Sequence, residues 1–211
     1  MLDKNHHLGI LGAGKVGVHL ANRLAEKGYK VSVGSRRGIP VEGWDGEVGT
    51  FENIAERADA FLLAVKGTAA EEVISRVKDL LEDKIVMDAT NPLSNNPPDE
   101  GVLDYFTTFQ ESLMERLQAI APRARFVKAF NSVGHQLMID PKLSDTPTMF
   151  ICGNDAEAKS VVSSFLQANG WEAADFGGVR SARAIEPLCL LWCIPAFANN
   201  EWTHAFKYLT K

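Results

Sequence analysis

Leu8-Gly9-Ile10-Leu11-Gly12-Ala13-Gly14-Lys15-Val16-Gly17 is the stretch that decides the fold. A short apolar run enters a G-x-G-x-x-G turn, and a helix pattern leaves it. Val16, Leu20 and Leu24 share one helical face, and Gly28 stops the helix. Tyr29 to Val33 then reads as a second strand. A glycine-rich turn between a strand and a helix, followed by a second strand, is a dinucleotide-binding signature. Gly12 permits the tight turn, Gly14 lets a pyrophosphate approach the backbone, and Gly17 lets helix and strand lie close. Ala13, Lys15 and Val16 complete the loop, and free amides at the helix start face the phosphates.

The second strand ends at Val33-Gly34-Ser35-Arg36-Arg37. An acidic residue here would bind the ribose 2′-hydroxyl of NAD. No acid occurs between Val31 and Val41. Ser35 can donate to a 2′-phosphate, and Arg36 and Arg37 can supply charge-assisted hydrogen bonds. The expected cofactor is therefore NADP.

Working outward, Gly38 to Gly49 reads as loop because it carries several glycines and Pro40. Strands are expected at Ala60–Val65, Lys84–Asp88, Arg125–Phe130, Thr148–Cys152 and Glu172–Phe176. Helices between them are expected to start at capping boxes Thr68/Glu71 and Thr108/Glu111, and at Asn154. Residues 92–107 form an irregular excursion, and the chain from Ser181 onward is mostly helical. Alternating strands and helices imply an α/β, doubly wound, mostly parallel Rossmann sheet with C-terminal helices packed on the strand-end edge. The expectation is one NADP-binding domain over 1–211, with 181–211 completing the substrate pocket.

In such a sheet ligands bind outside the carboxyl ends of the strands. Ala64, Val65 and Lys66 are expected along the cofactor. Asn91 and Pro92 are expected near the nicotinamide ribose, and Ala129, Phe130 and Asn131 near the carboxamide. His135 could line the substrate pocket or shuttle a proton. Pro187 and Leu191 of the C-terminal segment join it there.

Composition excludes several classes. The net charge of −5 gives no basic footprint for nucleic acid. The apolar run Leu188–Ala198 is shorter than the roughly 18 residues a bilayer span requires, and no signal peptide is visible at the start. Three cysteines make no disulfide framework, so a cytoplasmic setting is expected. Cys189 and Cys193 stand four apart with no second ligand pair, and they read as buried small hydrophobes rather than a metal site. Trp192 and Phe197 suggest an apolar surface for a homodimer.

The chain resembles the coenzyme F420-dependent NADP oxidoreductases, whose fold is shared by the reductase domain of the six-transmembrane ferric reductases. The resemblance rests on Gly12–Gly17, Gly34-Ser35-Arg36-Arg37, Asp88-Ala89-Thr90-Asn91-Pro92-Leu93, Lys128-Ala129-Phe130-Asn131 and Ser181-Ala182-Arg183-Ala184-Ile185-Glu186-Pro187-Leu188. It implies NADP across the strand ends, with a deazaflavin stacked on the nicotinamide and Ser35 and Arg36 on the 2′-phosphate. Ala13 stands where the archaeal members tend to carry threonine, and the insertion Leu93–Ala121 looks long for the family. No Ser-Tyr-Lys or His-carboxylate arrangement for a carbonyl substrate is visible. Reducing a carbonyl usually requires a proton donor, whereas hydride exchange between stacked rings requires mainly proximity and orientation. The expected activity is hydride transfer between NADP(H) and a second small-molecule carrier, F420 or a flavin. An imine or small-carbonyl reductase and a non-catalytic NADPH sensor remain the alternatives.

Overall fold

Strands buried on both faces read as continuous apolar runs, and such runs form the centre of this sheet. The computed structural model describes residues 2–211. Strands β1 (His7–Leu11), β2 (Lys30–Ser35), β3 (Glu47–Thr50), β4 (Ala60–Leu63), β5 (Ile85–Asp88) and β6 (Arg125–Lys128) form a six-stranded sheet. Its order is β3-β2-β1-β4-β5-β6, and every pairing is parallel. Strands β7 (Thr148–Ile151) and β8 (Glu172–Asp175) make a second parallel pair. One antiparallel bridge, Lys128 to Cys152, joins that pair to the edge of β6. The order reverses at β1, between its neighbours β2 and β4. This is the switch point at which open sheets of this kind bind ligands.

Helices cover both faces. Helix α1 (Lys15–Glu26) buries Gly17, Leu20, Ala21 and Leu24 against one face. Its core there includes Leu8, Ile10, Leu62, Met87 and Phe165 of α5 (Ala156–Ala168). The opposite face packs α2 (Phe51–Arg57), α3 (Gly67–Val77) and α4 (Leu113–Ile120) around Phe61, Leu63, Val86 and Phe126. Each fully buried Leu, Ile or Phe contributes roughly 1.5–3 kcal/mol.

Several expected boundaries move. Residues 38–49 are not all loop, since β3 begins at Glu47, and the following α2 carries its own capping box, Thr50 with Asn53. Helix α3 starts after Lys66 with no side-chain cap, so Thr68/Glu71 is not its start. Helix α4 is capped by Ser112 with Glu115, one turn beyond Thr108. Helix α5 is capped by Asp155, whose carboxylate accepts from the Ala158 amide at 2.6 Å, rather than by Asn154.

The C-terminal part comprises α6 (Ala182–Ile185), α7 (Leu188–Asn199) and an extended tail. Together with the turn before them, residues Val179–Asn199 form a 21-residue helical stretch of mean hydropathy 1.2, long and apolar enough to meet a membrane-span criterion. It is thus longer than the run Leu188–Ala198. Its Arg183 and Glu186 are engaged by groups of the fold. The tail hydrogen-bonds β7, with the Thr148 amide donating to Phe206 O.

Candidate dinucleotide site

A cleft of about 1090 Å³ runs along the carboxyl ends of β2, β1, β4 and β5. Its floor is the glycine turn. Gly12 sits at φ +135°, and a Cβ there would meet Ala64 O at 2.4 Å. A Cβ on Gly17 would meet Gly12 O at 1.9 Å, so only glycine lets α1 lie on the turn. Gly14 is different, because nothing lies within 4 Å of its missing Cβ. It is the N-cap of α1 and supplies no side-chain cap, so the helix opens toward the cleft with free amides and its positive dipole end. Ala13, Lys15 and Val16 line the same wall.

At the β2 end, Ser35, Arg36 and Arg37 line the cleft with Ile39, Pro40 and Val41. The Ser35 hydroxyl accepts from the Gly38 amide at 3.0 Å, which leaves its own hydrogen to donate. Arg36 and Arg37 are exposed. Among the described residues no carboxylate engages either guanidinium; the arginine ion pairs lie elsewhere.

Beyond the turn, Ala64, Val65 and Lys66 form the middle of the wall, and Thr90 and Asn91 its far end. Helix α3 also begins without a side-chain cap. Its first residue is Gly67, part of the segment Ala64–Thr68 that the sequence places along the cofactor. A Cβ there would meet Asn91 O at 1.9 Å, so Gly67 lets the α3 start press against the Thr90-Asn91 loop. Leu93, Ser94 and Asn95 extend the wall from the start of the excursion. Only their place after a strand end could have marked them.

Ala129, Phe130 and Asn131 do not line the cleft, and neither does Pro92; all four are buried behind it. Phe130 takes φ +64°, a left-handed turn that directs the chain away from β6. The Asn91 amide donates to Asn131 O at 2.7 Å, and the Asn131 amide donates to Ile185 O at 3.0 Å and Asn91 Oδ1 at 3.2 Å. These two asparagines therefore tie the β5 and β6 loops to the C-terminal segment. None of the cleft lining comes from 181–211: Pro187 is half-buried, and Leu191 is exposed on α7.

Behind the asparagines lies a charged hub. Lys128 is fully buried; its ammonium donates to Thr90 O at 2.9 Å and forms ion pairs with Asp88 Oδ2 at 2.6 Å and Glu186 Oε1 at 2.9 Å. Burial pulls its pKa down, but the two carboxylates outweigh burial and hold it raised. Glu186 in turn accepts from the Leu113 and Met114 amides at 3.0 Å each, capping α4. Asp88 Oδ1 accepts from the Thr90 amide and hydroxyl at 2.9 and 2.6 Å. The motifs at 88–92, 128–131 and 181–188 thus meet in one network. Cys152, close to it, has its thiol pushed up to about 12 by burial.

His135 lines a separate recess of about 500 Å³ with His19, Asn22, Val41 and Glu42. Recess and cleft share Ala13, Gly14, Lys15 and Val41, so they adjoin at the glycine turn.

Sheet, glycine turn and cleft define a Rossmann dinucleotide-binding protein. Residues 7–92 match the family described as NADP oxidoreductase, coenzyme F420-dependent. The chain is 29% identical over 193 residues to the F420-dependent NADP reductase of Methanocaldococcus jannaschii, covering 84% of this chain and 86% of that protein. It is also 29% identical over 194 residues to metalloreductase STEAP3 of Rattus norvegicus, where it covers 89% of this chain but spans only 38% of the relative. A crystal structure from Arthrobacter sp. FB24, of a candidate F420-dependent NADP reductase, superposes with a TM-score of 0.89 at 27% identity, covering 97% of this chain and all of that one. A reductive aminase of Aspergillus terreus, with a TM-score of 0.63 and 16% identity, shares the fold alone. The chain is an NADP-dependent oxidoreductase, and the resemblance to the coenzyme F420-dependent NADP oxidoreductases is borne out.

Proposed function

We propose that the chain transfers a hydride between NADP(H) in the cleft and a heterocyclic two-electron carrier, F420 or a flavin. The observation that carries this reading is the cleft's own chemistry. It offers uncapped helix starts and unpaired arginines for phosphate, but no histidine, tyrosine or cysteine along its lining. That lining suits ring-to-ring transfer, in which binding and orientation do most of the work. In this reading Gly12–Gly17 cradle the pyrophosphate, and Ser35, Arg36 and Arg37 hold the 2′-phosphate. Ala64, Val65, Lys66 and Asn91 flank the nicotinamide half. Pro92, Ala129, Phe130 and Asn131 support that half from behind, and His135 with the recess receives the second substrate. Bound NADP(H) supplies the hydride chemistry; the chain supplies position and the exclusion of water.

The reading takes 1–211 as one functional unit in a cytoplasmic setting. Residues 181–211 act by bracing the pocket rather than by lining it. A homodimer through the exposed side of α7, at Leu191, Ile194 and Phe197, completes it.

The test is to mix protein and NADPH with F420, FMN or a ferric chelate in turn and follow nicotinamide absorbance. Turnover with a ring carrier is the expected result. Turnover only with an imine or carbonyl would overturn the proposal in favour of a reductase of that class. Tight NADPH binding without turnover on any acceptor would make the protein a sensor.

A further inference from the structure

Resting on that proposed reading, we propose that His135 exchanges the proton that accompanies hydride transfer to the ring carrier, with His19 behind it as a relay. Reduction of a heterocycle by NADPH has two parts. The C4–H bond of the nicotinamide breaks and its electron pair leaves as hydride to the carrier ring. A nitrogen of the same ring then takes up one proton. In reverse, the reduced carrier loses hydride to NADP and a proton to a base. The NADP cleft itself is lined by no histidine, the side chain whose ordinary pKa suits proton exchange near neutral pH.

The recess across the glycine turn holds the one pair of imidazoles in contact among the described residues. The rings of His19 and His135 stand edge to face, with centroids 5.0 Å apart. His19 Nε2 is buried and has no hydrogen-bond partner, unlike most buried polar atoms. Neither ring is paired with a carboxylate. The recess shares Ala13, Gly14, Lys15 and Val41 with the cleft, so a carrier ring seated in the recess borders the NADP cleft on one side and His135 on the other.

The charged surroundings set how the pair titrates. Burial comes first in lowering both histidines below the ordinary value. For His135 the neighbouring His19 and then Lys15 add to the shift. For His19, Arg23 and Lys15 add to it while Glu26 opposes. From the facing loop, Glu42 is the carboxylate that lines the recess, and Asn22 is held by Val18 O and Gly43 O. The lowering favours the neutral form of both rings, the form that can accept a proton from a reduced carrier.

The sign follows. Oxidation of the reduced carrier needs neutral His135, so its rate rises with pH through the lowered histidine pKa. Reduction of the carrier needs the imidazolium, so its rate falls over the same interval. The experiment measures hydride transfer in both directions by stopped flow between about pH 5 and 9, with FMN or F420 as carrier. It compares wild type, His135→Asn and His19→Asn, with NADPH affinity measured by fluorescence.

The expected result is a loss of at least about tenfold in both directions for His135→Asn, with both pH limbs abolished and NADPH affinity unchanged. For His19→Asn the limbs should move to higher pH, because a burying and like-charged neighbour is gone. Ring turnover with unchanged rates and limbs in His135→Asn would overturn this assignment alone. Wild-type protein that binds NADPH yet reduces no ring would overturn the function proposed above and this assignment with it.

Discussion

The two ends of the cleft are built on opposite principles. At the β2 end the charged groups are exposed and unpaired: Arg36 and Arg37 meet solvent beside the half-buried Ser35, and among the described residues no carboxylate touches the arginines. At the β5–β6 end the charges are buried and paired: Lys128 sits between Asp88 and Glu186, and Glu186 caps α4. An unpaired exposed charge has a low cost of desolvation and remains free for a ligand. A buried network fixes geometry, because breaking it leaves an uncompensated charge. In the proposed reading one end recognises the ligand and the other holds a shape. Changes at the first should alter affinity with little loss of stability, and changes at the second should do the reverse.

The largest effect should come from the holding end. Lys128→Met leaves Asp88 and Glu186 facing each other in the interior, and a loss of about 3–5 kcal/mol in urea denaturation is expected. Stability within about 1 kcal/mol of wild type would break the contrast at its stronger side. Next comes the turn between the two ends. Gly17→Ala places a methyl group 1.9 Å from Gly12 O. NADPH titration should then show affinity reduced by more than about tenfold, because the pyrophosphate wall shifts with α1.

A smaller effect is expected at Glu115, which caps α4 and pairs with Arg183 at 2.7 and 2.8 Å. Arg183 chiefly, with Ser112, holds its carboxyl down at about 2, against an ordinary 4.5. That contribution is fully present above the ordinary value and is lost as pH falls toward about 2. Glu115→Gln should cost about 1 kcal/mol at neutral pH. The difference from wild type should close across that acid interval in thermal melts. A difference that persisted there would show that the ion pair is not its source.

The lining of the β2 end was legible in the sequence, and the buried hub was not. Gly12, Gly14, Gly17, Ser35 and Arg36 all lie within one β-α-β unit, so local spacing gives their relation. Lys128 and Glu186 were visible only as parts of separate motifs, since nothing along the chain brings β6 to α6. The capping box of α4 shows the same limit. Thr108/Glu111 and Ser112/Glu115 have the same spacing, and only the second lets Glu186 meet the Leu113 and Met114 amides. Strand β3 was hidden by glycines on an edge, where Gly49 packs against Ile54. Asn91 and Asn131 lie just past the strand ends; Asn91 lines the cleft, whereas Asn131 is buried behind it and bonds Asn91 and Ile185.

The most direct measurement compares NADPH with NADH by calorimetry, for wild type and for Arg36→Ala. The account predicts that wild type prefers NADPH by at least about tenfold, and that Arg36→Ala removes most of this preference while the melting temperature stays put. Equal affinity for the two cofactors in wild type, or an unaltered preference in the variant, would contradict it.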